Sequence, residues 1–98
     1  MKNKEWGKGI QKIRQGKKLT QIELADKTNL SVQLIRLIEQ SGHIPKMPAL
    51  ACIGWVLEIS FTKILLMLNL DLKAGEIFDL AQMNSPPAAQ GKRPSTRP

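Results

Sequence analysis

The sequence predicts an all-α domain of five compact helices with a short sixth and a disordered C-terminal tail. Two features of composition and one of patterning carry that prediction. The 98 residues are 42% apolar, enough to fill one core without metal or disulfide staples, and the chain is too short for a second domain. Aromatic residues make up only 4%, as Trp6, Trp55, Phe61 and Phe78 with no tyrosine, so the core is aliphatic and strong strand formers are scarce. Apolar residues also recur at helical spacing between capping residues along most of the chain. The expected organisation is one domain over 1–83, followed by a basic, proline-rich tail over 84–98.

The first helix is expected over Gly9–Gln15, where Ile10 and Ile13 share a face and Gly16 follows as a stop. Thr20 and Glu23 stand at the spacing of a capping box, so a second helix starts at Thr20 and runs to about Lys27. Thr28-Asn29-Leu30-Ser31 reads as a tight turn whose last residue caps a third helix, Val32 to about Gln40. At about 100° per residue from Val32, Leu34, Ile38 and Ile35 fall near 200°, 240° and 300° and form a core stripe. Arg36, Gln40 and Gln33 fall near 40°, 80° and 100°, so three hydrogen-bonding side chains share one exposed face, flanked by Leu37 at about 140°.

After a loop through Ser41-Gly42-His43-Ile44-Pro45, a fourth helix tolerates Pro48 in its first turn and carries Leu50, Ile53, Val56 and Leu57. Ser60 is placed to cap a fifth helix, Phe61 to about Leu70. That helix is apolar nearly all round, and Phe61, Ile64, Leu65, Leu66, Met67 and Leu68 cannot all face one small core, so a partner subunit is the expected cover. Trp55 belongs either to the same surface or to the core. Ala74–Met83, with Ile77, Phe78 and Leu80, makes a weaker sixth helix that packs back or crosses to a partner. The stretch from Asn84 has four prolines and almost no bulky apolar residue, which predicts disorder.

Charge divides the chain. The residues through Lys46 hold ten Lys or Arg against four acidic residues, a balance of +6 within a total of +7, whereas Met47–Met83 carries −2 and the tail +3. A basic first half suggests a polyanion, most often nucleic acid, and an apolar second half suggests packing or self-association. The single cysteine, Cys52, lies in an apolar stretch and reads as a small buried hydrophobe in a reducing, intracellular setting. No apolar run of signal-peptide length follows the charged N-terminus. Met47–Leu70 is long enough to span a bilayer, but Glu58 and Lys63 lie inside it, and each costs roughly 2.5–3.5 kcal/mol near the bilayer centre. No membrane role is therefore expected. Metal-ligand clusters, glycine-rich phosphate loops and acid–base pairs are absent from the sequence, which predicts no catalytic site, no metal and no cofactor.

The succession Ile13-Arg14, Leu19-Thr20-Gln21, Leu24-Ala25, Leu30-Ser31, Ile35, Glu39, Pro45, Leu50, Ile53, Leu57, Ile59-Ser60 resembles the phage repressor and Cro helix-turn-helix family, also called the XRE family. It runs in register from about Gly9 to Leu68. The segment Leu57-Glu58-Ile59-Ser60 and the apolar helix after it are similar, more weakly, to small controller proteins of restriction-modification systems.

The resemblance implies a compact, repressor-like domain that regulates transcription by binding double-stranded DNA in the cytoplasm. It also implies a homodimer on an inverted-repeat operator, with the third helix in the major groove. It puts Gln21 at the phosphate contact and Val32, Gln33, Arg36 and Leu37 at base-reading positions, and Thr20, Ser31, Gln40 and His43 are further candidates for phosphate contact. Their chemistry suits those roles: glutamine bonds adenine N6 and N7, arginine bonds guanine O6 and N7, and Val32 or Leu37 can touch a thymine methyl. Arg14 and Glu39 stand where the family often has a structural ion pair. The chain departs from the pattern at Ser41, where glycine is usual, and at Lys46, where serine is usual. Leu34 and Leu37 replace residues that are often polar, which keeps open an antitoxin-like or adaptor protein that binds a protein partner through this helix or the tail.

Overall fold

The computed structural model describes residues 2–83, and among these residues it is all-helical, with six helices and no strand. The expected tail from Asn84 lies outside the described residues. α1 (Lys4–Gly16) begins five residues before the expected Gly9. Asn3 caps it by accepting a 3.1 Å hydrogen bond from the Trp6 amide. Trp6, Ile10 and Ile13 then follow at i, i+4 and i+7 and bury their side chains almost completely.

α2 (Gln21–Thr28) starts at the Thr20 capping box, with Thr20 Oγ1 accepting from the Glu23 amide at 3.0 Å and Glu23 Oε1 accepting from the Thr20 amide at 2.8 Å. Asn29 closes it in the left-handed conformation (φ 60°), a cost Asn bears better than most residues. α3 (Val32–Ser41) is capped by the Ser31 hydroxyl, which accepts from the Leu34 amide at 3.1 Å. It runs one residue beyond the expected end, so Ser41 is still helical and Gly42, at φ 76°, supplies the left-handed cap.

α4 (Met47–Leu57) has Pro48 in its first turn and receives no side-chain cap from Lys46. α5 (Phe61–Asn69) is capped by Ser60 Oγ, which accepts from the Lys63 amide at 3.2 Å. α6 (Ala74–Gln82) packs back on α1: Glu5 Oε1 accepts from the Ala74 amide at 2.8 Å, and Ile77 lies against Gly9 so closely that a Cβ there would overlap its side chain.

One core joins all six helices, with Trp6, Ile10, Ile13, Leu24, Ile35, Ile38, Ile53, Leu57, Ile64, Met67 and Ile77 each under 2% exposed. Burial at that level contributes roughly 1.5–3 kcal/mol for each large aliphatic side chain. Two expectations change. Cys52 is exposed, because the buried face of α4 is Leu50, Ile53, Gly54 and Leu57, and a residue two places after Leu50 points away from it. Ile64 and Met67 belong to the subunit's own core, so an α5 surface consists of Phe61, Leu65 and Leu66 instead, with Leu68 only partly buried. The long apolar window is broken by a 116° bend between α4 and α5, and no single helix among the described residues is long and apolar enough to cross a membrane.

Candidate nucleic-acid interface

α2, the turn and α3 form a rigid corner. Thr28, buried at the end of α2, donates its hydroxyl to the carbonyls of Leu24 (2.7 Å) and Ala25 (3.1 Å), and the Leu30 amide returns to Ala25 O at 3.0 Å. The turn is thereby closed by backbone bonds before α3 begins. Ile35 and Ile38 pin α3 to the core, and its opposite face carries Gln33, Arg36 and Gln40, all exposed, beside Leu37 at 46% exposure. The helical wheel thus gave the correct face. Val32 is half-buried and packs against the core, which leaves only part of its side chain to touch a ligand. Leu34 also packs against the core, so the alternative that used it as an exposed protein-binding residue loses that residue.

Behind the corner lies a buried polar cluster. Arg14 Nε donates to Glu39 Oε2 at 2.7 Å and Nη2 to Glu39 Oε1 at 3.0 Å, with side-chain exposures of 9% and 1%. Arg14 Nη1 donates to Leu19 O at 2.7 Å, and Gln21 Nε2 reaches Glu39 Oε1 at 2.9 Å. One carboxylate therefore joins α1, the first residue of α2 and the last turns of α3. The two-point guanidinium geometry satisfies a charge pair that would otherwise be costly to bury. Gln21 spends one N–H here; its second N–H and its carbonyl remain for an outside partner. The Gln21–Glu39 bond has no sequence signal, since the two residues lie on different helices.

Thr20 and Ser31 are exposed and use their hydroxyl oxygens as cap acceptors, which leaves each O–H free to donate to an anion. His43 is half-buried in the loop after α3, and its carbonyl accepts from Trp6 Nε1 at 3.2 Å. Sequence reasoning missed the segment that holds this loop: the Asn3 amide donates to Gly42 O at 2.8 Å, and Lys2 pairs with His43 in an antiparallel bridge. The i, i+4, i+7 spacing of Trp6, Ile10 and Ile13 was the available signal. Among the described residues no group of three His, Cys, Asp or Glu side chains could hold a metal ion.

A second surface lies on α4 and α5. An open groove of about 930 Å³ is lined by Ala51, Trp55, Val56, Phe61 and Ile64, with Lys27 and Glu58 also at its edge. Trp55 is 86% exposed, and so belongs to the surface rather than the core.

Residues 10–51, from α1 into α4, match the helix-turn-helix family. No curated protein and no solved structure matches the chain.

Proposed function

We propose that the chain, whose residues 10–51 match the helix-turn-helix family, is a sequence-specific DNA-binding transcriptional regulator of the XRE kind that binds an inverted-repeat operator as a homodimer. The observation that carries the proposal is the exposed face of Gln33, Arg36, Leu37 and Gln40 on a helix whose other side is anchored in the core. Such a face offers two amides, a guanidinium and a methyl-bearing side chain to base edges in a major groove. Gln21, Thr20 and Ser31 stand at the two helix starts beside it, where free N–H and O–H donors grip phosphates and set register without reading sequence. The role is non-enzymatic and belongs in the compartment that holds the DNA, the cytoplasm.

Support for the homodimer comes from an apolar surface that the single chain leaves open. Met47, Cys52 and Trp55 on α4 and Phe61, Leu65 and Leu66 on α5 are all exposed, and the groove joins Trp55 to Phe61. Contiguous apolar patches of this kind mark interfaces, and a second copy related by a two-fold axis is the commonest cover for a self-complementary patch. Selection of bound sequences from a random duplex pool, followed by footprinting, tests the proposal. A symmetric site is the expected result, and the absence of any enriched sequence would refute it.

A further inference from the structure

The residues before α1 do more than start a helix. The end of α3 is the negative pole of its helix dipole, and α3 has no basic residue in its last turn. A helix laid in a groove with that end near the sugar–phosphate backbone would repel it unless another segment supplied positive charge. The N-terminal segment is brought to this place. Lys2 pairs with His43 in the antiparallel bridge, the Asn3 amide bonds Gly42 O at 2.8 Å, and fully buried Trp6 bonds His43 O at 3.2 Å through its indole.

Residues directly opposite in an antiparallel pair project to the same side of the ribbon, so Lys2 and His43 share a side. His43 follows Gln40, the last exposed residue of the α3 face, by three positions. Lys2 is exposed, and among the described residues the ion pairs are Arg14–Glu39 and Lys17–Glu58, neither of which involves it. The nearest acidic residue in sequence, Glu5, directs its carboxylate to the Ala74 amide.

We propose that Lys2 and His43 form a clamp for the backbone phosphates of duplex DNA at the C-terminal end of α3. This rests on the regulator reading above and adds a contact to it. The bridge orders the backbone beneath Lys2 before any ligand arrives, so binding does not bear the full entropy of fixing that segment. The contact is with phosphate and not with a base edge, so it raises affinity for every duplex alike.

The test compares the parent chain, Lys2→Gln, Lys2→Arg and, as a control on α5, Lys63→Gln. Each is titrated with a duplex selected from a random pool and with an unrelated duplex between about 50 and 200 mM salt. The expected result for Lys2→Gln is a slope of log affinity against log salt that is shallower by about 0.9 for each subunit bound. That loss should be equal on both duplexes, with base preference unchanged, parental slope in Lys2→Arg, and no change in Lys63→Gln. Thermal melting of Lys2→Gln should match the parent, since Lys2 is exposed. An unchanged slope in Lys2→Gln, or a change confined to the selected duplex, overturns the clamp while leaving the regulator reading in place. A parent chain without salt-dependent duplex binding overturns both.

Discussion

Gly7 in α1 lies against the carbonyl oxygen of Ile38 in α3, so close that a Cβ at position 7 would overlap it. The last turn of α3 is therefore seated directly on the backbone of α1. A helical glycine replaced by alanine ordinarily gains roughly 1 kcal/mol, but here the added methyl must push two helices apart, and overpacking costs about 1–3 kcal/mol. Gly7→Ala should lower the melting temperature. Gly75, near the start of α6, has no atom within 4 Å of such a Cβ, so Gly75→Ala should raise it by the propensity gain alone. Calorimetry on the two variants checks the opposite signs.

The same reasoning explains how far the fold could be read from the chain. The Thr20 box and the Ser31 and Ser60 caps are local bonds, and each marks its helix start without knowledge of the rest. The start of α1 was hidden because Gly7 and Gly9 are poor helix formers, and the reason for glycine there is the approach of Ile38 and Ile77, which local pattern does not contain. Cys52, Ile64 and Met67 were misplaced for a related reason. Where a helix is apolar nearly all round, the wheel has no polar side to orient it, and only the neighbouring helices decide which residues turn inward. At the interface the reverse held: α3 is two-faced, so Gln33, Arg36 and Gln40 could be set on the open side from periodicity alone.

Arg14→Ala should destabilise the fold by about 3–5 kcal/mol, because Glu39, with its side chain 1% exposed, would keep a buried charge without its partner. Gln21→Ala removes a single bond to the same carboxylate and should cost about 1 kcal/mol, besides weakening all duplexes alike. Denaturant titration separates the two by size. Parental stability in Arg14→Ala would contradict the buried pair.

The Lys17–Glu58 pair offers the contrast. Its bond is also 2.7 Å long, but the Glu58 side chain is 78% exposed. The hydrogen bond from Lys17, with its charge, holds the Glu58 carboxyl below its ordinary value. A depressed carboxyl contributes stability that is present above the unfolded-state value and is lost as pH falls through the folded one. Solvent screens this pair, so Lys17→Ala should leave the melting temperature almost unchanged at neutral pH, and whatever difference exists should vanish in high salt or acid.

Base choice should depend on α3. Gln33→Ala and Arg36→Ala are each expected to relax discrimination by about 1–3 kcal/mol at one or two base pairs, with melting curves like the parent's because both side chains are exposed. Binding measured across a panel of single-base operator variants checks this. Full discrimination in both folded variants would remove α3 from the reading role.

The dimer prediction turns on Trp55, because a largely exposed indole beside an apolar groove is the kind of anchor that dominates an interface. Trp55→Ala should weaken self-association by about 2 kcal/mol or more, roughly thirtyfold in the dissociation constant. Leu66→Glu, which puts a charge on the exposed side of α5, should abolish it while sparing the core, since Ile64 and Met67 carry the packing there. If the two third helices enter successive major grooves they lie about 34 Å apart, so the half-site centres should be separated by about one turn of DNA. Sedimentation equilibrium on the parent and both variants, with footprinting on the selected operator, measures association and spacing together. A parent that is monomeric at micromolar concentration yet protects a symmetric two-turn site would rule out the α4–α5 surface, and protection of a single unpaired half-site would rule out the dimer itself.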